Sequence, residues 1–126
     1  MKIAKVTIPF IVDIHFYPGA TPWYMAHEMR IKIEVAGEPA INITIPAGFE
    51  HDFASIPDGV PKWVADKQDA RYAAIVHDYL YHHAIRTKEF ADLVFLQIMK
   101  QTGVPKWRRQ AMYLAVKMFG KGAYRV

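Results

Sequence analysis

The hydrophobic period changes once along this chain, and that change limits its possible folds more than any other feature. Over residues 29–45, "MRIKIEVAGEPAINITI" puts an apolar side chain at every second position: Met29, Ile31, Ile33 and Val35, then Ile41, Ile43 and Ile45. A period of two sets those residues on one face of a pleated strand and the charged ones on the other. Only a short turn around "GEP" parts the two runs, so they are expected to pair as a hairpin. From residue 69 onward the apolar residues recur at three and four, the period of an α-helix.

The remaining segments fill in around this switch. "KVTIPFIVDIHF" is rich in β-branched and aromatic residues, with Pro9 marking an edge or a break. "YPGATPW" reads as a turn-rich loop. Residues 47–64, "AGFEHDFASIPDGVPKWV", have no period and hold Gly48, Pro57, Gly59 and Pro61. A connector of that length in a small domain is usually functional or disordered, and Phe49, Phe53, Ile56 and Trp63 would anchor it. Helices are expected over 69–84, 88–101 and 105–119. Thr87 caps the second, Gly103 ends it, Pro105 opens the third and Gly120 closes it. Strands followed by helices predict an α+β domain over 1–126, with a β half (1–46), a motif loop (47–64) and three helices (69–120).

Composition narrows the class. The 126 residues are 52% hydrophobic and 22% charged, a globular balance and not a disordered one. There is no cysteine, so disulfides and thiolate metal sites are excluded and a reducing cytoplasm fits. Pro9 and Asp13 interrupt the only apolar N-terminal stretch, so no signal peptide is expected, and no run is long enough for a membrane span. The net charge is +4, unevenly spread. Nine basic residues face twelve acidic ones up to Asp92, and seven basic residues with no acid follow it. Such a basic tail suits phosphate, nucleic acid or an anionic partner, or else a solvated helix face. On a helical wheel Trp107, Ala111, Leu114, Ala115, Met118 and Phe119 share one face of the third helix. Lys106, Arg109, Lys117 and Lys121 lie on the other, with Tyr113. The ordinary expectation is that the apolar side is core and the basic side meets water. No nucleic-acid signature accompanies these lysines and arginines.

The candidate chemistry lies in "AAIVHDYLYHH", residues 73–83. His77 shares its helix face with Ala70, Ala73, Ala74, Tyr81 and Ala84. Residues so small imply either a closely packed helix or a cavity above the imidazole. On the second helix Asp92 shares a face with Phe95, Leu96 and Met99, where a carboxylate needs a partner. The connection around Ile85 and Arg86 is short, so the two helices run antiparallel. His77 lies eight positions before Ile85 and Asp92 seven after it, at matching heights above the turn. Asp92 should therefore bond His77, orient the ring and stabilise its protonated form. The other ring nitrogen would be free to take a proton from water. The same spacing suits a purely structural bond between helices. Asp52, Ser55, Asp58 and His51 stand in the loop just upstream, and hard carboxylates near Asp78 could complete an oxygen-rich Ca²⁺ or Mg²⁺ site. His51 with His77 is the alternative, for Zn²⁺ or Mn²⁺. Arg86 closes the turn and could cap carbonyls, pair with Glu89 or bind an anion.

The ordered set "PAGFEHDFASIP", "AAIVHDYLYHH", Arg86, "ADLVF" and "GVPKWRRQAMYLAVKMFG" resembles a family of unknown function found in tailed phages and prophages, domain of unknown function 1353. The resemblance covers residues 46–120 and implies that Asp52, Ala54, Ser55, Pro57, His77, Asp78, Tyr81, Arg86 and Asp92 occupy its motif positions. His51 stands where the family usually has Thr, and Asp58 where a basic residue is common. The resemblance implies a phage or host-cytoplasm setting and a phage or host protein partner, but no activity. The stretch 73–95 is also similar to phospholipases of the A2 type. That likeness implies His77 as base, Asp78 as calcium ligand, Asp92 as orienter and Tyr81 as support, although their glycine-rich calcium loop is missing. Two readings result: a metal-assisted ester or phosphoester hydrolase, or a non-enzymatic phage protein whose polar motif is structural and whose basic helix or sheet edge binds a partner. A helical metal phosphohydrolase built on His51, His77 and Asp78 ranks last, because the first half is β-rich.

Overall fold

A computed structural model describes residues 1–8, 14–16, 23–25, 27–51 and 71–119. Among the described residues six strands precede three helices, so the fold is α+β, as the switch of period requires. The strands are β1 (Ile3–Thr7), β2 (Ile14–Phe16), β3 (Trp23–Met25), β4 (Met29–Val35), β5 (Ile41–Ile45) and β6 (Glu50–His51). The helices are α1 (Arg71–His82), α2 (Lys88–Gln101) and α3 (Lys106–Phe119). Residues 1–52 form one compact unit and residues 53–126 another.

In the first unit, β4 and β5 make the expected antiparallel hairpin, with Met29 opposite Ile45 and Ile33 opposite Ile41. Met29, Ile31, Ile33 and Val35 are all buried on one side, together with Ile43 and Ile45, while Arg30 and Lys32 on the other side are exposed. β1 adds to the free side of β4, giving the order β1-β4-β5, with an irregularity between Ile3 and Lys5. A second sheet has the order β2-β3-β6. It differs from expectation in two places. Trp23, assigned by sequence to a loop, pairs in β3, and His51, assigned to the irregular connector, pairs with it in β6. Strands of two or three residues are too short to show an alternation, so the pattern gave no sign of them. Gly48, at φ +83°, takes the left-handed turn that leads into β6.

In the second unit α2 is the central helix, packed on α1 and on α3. That position explains its wide buried face: Phe90, Ala91, Asp92, Val94, Phe95, Ile98 and Met99. Thr87 caps it as expected, its Oγ1 accepting from the Phe90 N–H at 3.1 Å. α1 and α2 end in the same way. The Ile85 and Val104 N–H groups reach back to the Leu80 and Met99 carbonyls, across a left-handed residue. At the end of α2 that residue is Gly103 (φ +86°), and at the end of α1 it is Ala84 (φ +46°). α1 therefore stops at His82 and not at Ala84, because Ala84 itself takes the left-handed position.

α3 departs from its wheel. The residues it buries are Arg108, Met112 and Val116, one narrow row at i, i+4, i+8. Trp107, Leu114 and Met118, assigned to the core by their apolar character, are 58%, 49% and 63% exposed. α2 meets the neighbouring row, and the apolar stripe faces outward.

Candidate functional site

The site grows from two i, i+4 pairs. On α1, His77 and Tyr81 lie one turn apart on the face towards α2. On α2, Lys88 and Asp92 are likewise one turn apart. The His77 Nε2 lies 2.7 Å from Asp92 Oδ1, the bond that counting from the turn predicts. The Tyr81 hydroxyl donates to the same oxygen at 2.5 Å. Lys88 Nζ donates to Asp92 Oδ2 at 2.6 Å. Asp92 is thus a carboxylate with three donors, and it is almost wholly buried.

Lys88 does more than pair. Its Nζ also donates to the backbone carbonyls of Val116 at 3.0 Å and Lys117 at 3.2 Å. These belong to the last turn of α3, where helix carbonyls lack intrahelical partners. A cation is unfavourable at the start of its own helix and favourable at the end of another. Lys88 sits at the first position of α2 and serves the C-terminus of α3. Sequence reasoning missed it, although a signal existed, since Lys88 is four residues before a carboxylate that needed a partner. The carbonyls themselves carry no sequence signal.

The environment decides protonation. The His77 side chain is fully buried. Its ring lies against Tyr81 (4.0 Å between centroids) and Phe95 (4.8 Å), and Ala73 and Ala74 are buried on the same helix. Burial lowers the His77 pKa, and the hydrogen bond and charge of Asp92 only partly oppose it. Asp92 does favour the imidazolium, as expected from the spacing, but removal from water outweighs the carboxylate and the net shift is downward. The neutral ring faces an acceptor through Nε2, so Nε2 carries the proton and Nδ1 is a bare acceptor. Among the described residues Nδ1 has no hydrogen-bond partner. For Asp92, burial pushes the pKa up, but the bonds from His77, Lys88 and Tyr81 together hold it below the usual carboxylate range.

Asp92 also borders a half-open pocket of about 380 Å³, lined with Lys88, Glu89, Tyr113 and Lys117. Burial, then the charges of Asp92 and Glu89, raise the pKa of Tyr113. Asp78 is half-buried on α1. Asp52, Ser55, Pro57 and Lys121 lie outside the described residues. Among the described residues no three His, Asp or Glu side chains are placed to hold a metal ion. Arg86 is exposed, at φ +60°, with its guanidinium 4.9 Å from the Phe90 ring centroid. Lys106 is exposed, Arg109 donates to the Val104 carbonyl at 3.1 Å, and Lys117 Nζ lies 5.9 Å from the Tyr113 ring centroid. Among the described residues no helix is long and apolar enough to cross a membrane.

Comparison with known proteins adds lineage but no activity. The chain is similar to the uncharacterized protein y4jT of Sinorhizobium fredii (strain NBRC 101917 / NGR234), 33% identical over 78 residues. Those residues are 60% of this chain and 23% of the relative, so the chain spans about a quarter of that relative's length. No solved structure matches. Residues 23–116, which include His77, Tyr81, Lys88 and Asp92, match a family model described as "Protein of unknown function (DUF1353)". With most of its length inside that match, the chain belongs to the DUF1353 family.

Proposed function

We propose that His77, Tyr81, Lys88 and Asp92 form a structural lock, and that the protein is a non-enzymatic accessory or virion protein of a phage or prophage that works by binding. The phage setting rests on the motif resemblance alone. The observation that supports the lock is saturation. Asp92 accepts from three donors, Lys88 donates to three acceptors, and His77 is fully buried. General-base chemistry needs an atom within reach of the proton it removes, directly or through one water. The fully buried His77 side chain, with Tyr81 and Phe95 against its ring, speaks against such an approach.

The hydrolase reading has one observation in its favour, the bare Nδ1 of His77, which is the atom that would take a proton from water. In that reading Asp92 orients the ring, Tyr81 supports it, and Asp78 with Asp52 holds Ca²⁺ or Mg²⁺. The two readings separate on His77→Gln. The lock predicts a lower melting temperature and no hydrolysis of p-nitrophenyl esters or phosphates by either protein, with or without Ca²⁺ or Mg²⁺. Metal-dependent hydrolysis by the wild type, lost in a His77→Gln variant that still folds, would sink the lock as the main role.

A further inference from the structure

The outward stripe of α3 has a spacing that identifies what can cover it. Trp107, Ala111, Leu114 and Met118 follow one another at four, three and four residues. At about 100° per residue they fall within roughly 60° of arc. That is the a/d seam of a heptad repeat, two heptads long, with Ala111 leaving room for close approach. Trp107, Leu114 and Met118 are about half exposed or more, although each would be buried on an ordinary amphipathic helix.

The charge beside the seam narrows the occupant. Lys106 and Lys117 are exposed on one flank, and α3 contains no acidic residue. In a second copy laid along the seam in either direction, no carboxylate of α3 would answer this lysine flank. We infer that the Ala111–Leu114–Met118 face of α3 is a docking seam for an amphipathic helix of another protein, with acidic residues flanking that helix's apolar stripe. Leu114 and Met118 act as the anchors, and Lys106 and Lys117 select by charge. This inference gives a partner chemistry to the binding role proposed above and rests on that reading.

The test uses the full chain and two labelled three-heptad peptides with leucine at a and d. One carries glutamate at e and g, the other lysine. Fluorescence anisotropy should show binding of the glutamate peptide, with the lysine peptide at least tenfold weaker. Leu114→Asp, and independently Met118→Asp, should weaken the glutamate peptide at least tenfold. Their melting temperatures should stay near wild type, which separates a failed seam from a failed lock. Equal binding of the two peptides, or no binding of the glutamate peptide, overturns the inference. So does binding to phosphatidylglycerol vesicles, or dimerisation in light scattering, that the same variants abolish in place of peptide binding.

Discussion

Asp92 is where the energetics of the helical unit concentrate. A buried carboxylate with three donors stabilises only while all three are present, because removing one partner leaves charge uncompensated. Asp92→Asn is expected to lower stability by about 3–5 kcal/mol, measured by denaturant titration. Tyr81→Phe removes one bond to an ionised acceptor and should cost about 2 kcal/mol. The pH dependence has a definite sign. Burial holds folded His77 below its ordinary pKa, about 6.5, so the unfolded chain takes up the proton first as pH falls. Stability from the neutral ring is complete above pH 6.5 and declines below it. Asp92, held below 3.8, adds a second loss in acid below that value. His77→Gln should erase the first decline and keep the second, read from denaturation midpoints between pH 8 and pH 3. At this scale much was legible. The His77–Asp92 bond follows from counting residues on either side of Ile85. The protonation state does not, because it depends on how completely Tyr81 and Phe95 enclose the ring, and spacing says nothing about enclosure.

Among the elements, helix ends were readable wherever the sequence used its usual residues. Thr87 and Gly103 mark α2 correctly, and Thr87→Ala should cost about 1 kcal/mol. The end of α1 was misread because Ala84 holds the left-handed position that glycine normally fills. The same substitution becomes a prediction. Ala84→Gly should remove steric strain there, offset in part by greater freedom of the unfolded chain, for a net gain of up to about 1 kcal/mol in thermal denaturation. α3 was misread for the opposite reason. A wheel ranks faces by apolar content, but its tertiary neighbour chose the row Arg108, Met112 and Val116. The most apolar face and the most buried face then differ, and a surplus of outward apolar surface is a common mark of an interaction site.

For the molecule as a whole, the change of hydrophobic period was enough to place strands before helices, and the β4–β5 register followed from alternation. Of the β2-β3-β6 sheet only β2 was legible, inside the β-rich "KVTIPFIVDIHF", since β3 and β6 are too short to carry a pattern. The basic C-terminal third is less uniform than its charge suggests. Arg108 is buried and Arg109 is bound to a carbonyl, which leaves Lys106 and Lys117 as exposed cations on the described part of α3. Lys88 joins α2 to the end of α3, and its tripod of contacts has a kinetic consequence. An amine-modifying reagent needs the nitrogen released from its partners, so the bonds to Asp92, Val116 and Lys117 slow reaction at Lys88. Under brief reductive methylation followed by mass spectrometry, Lys106 and Lys117 should be modified before Lys88. The slow reaction at Lys88 then becomes a clock for the release of these bonds, and Asp92→Asn should make that clock run faster.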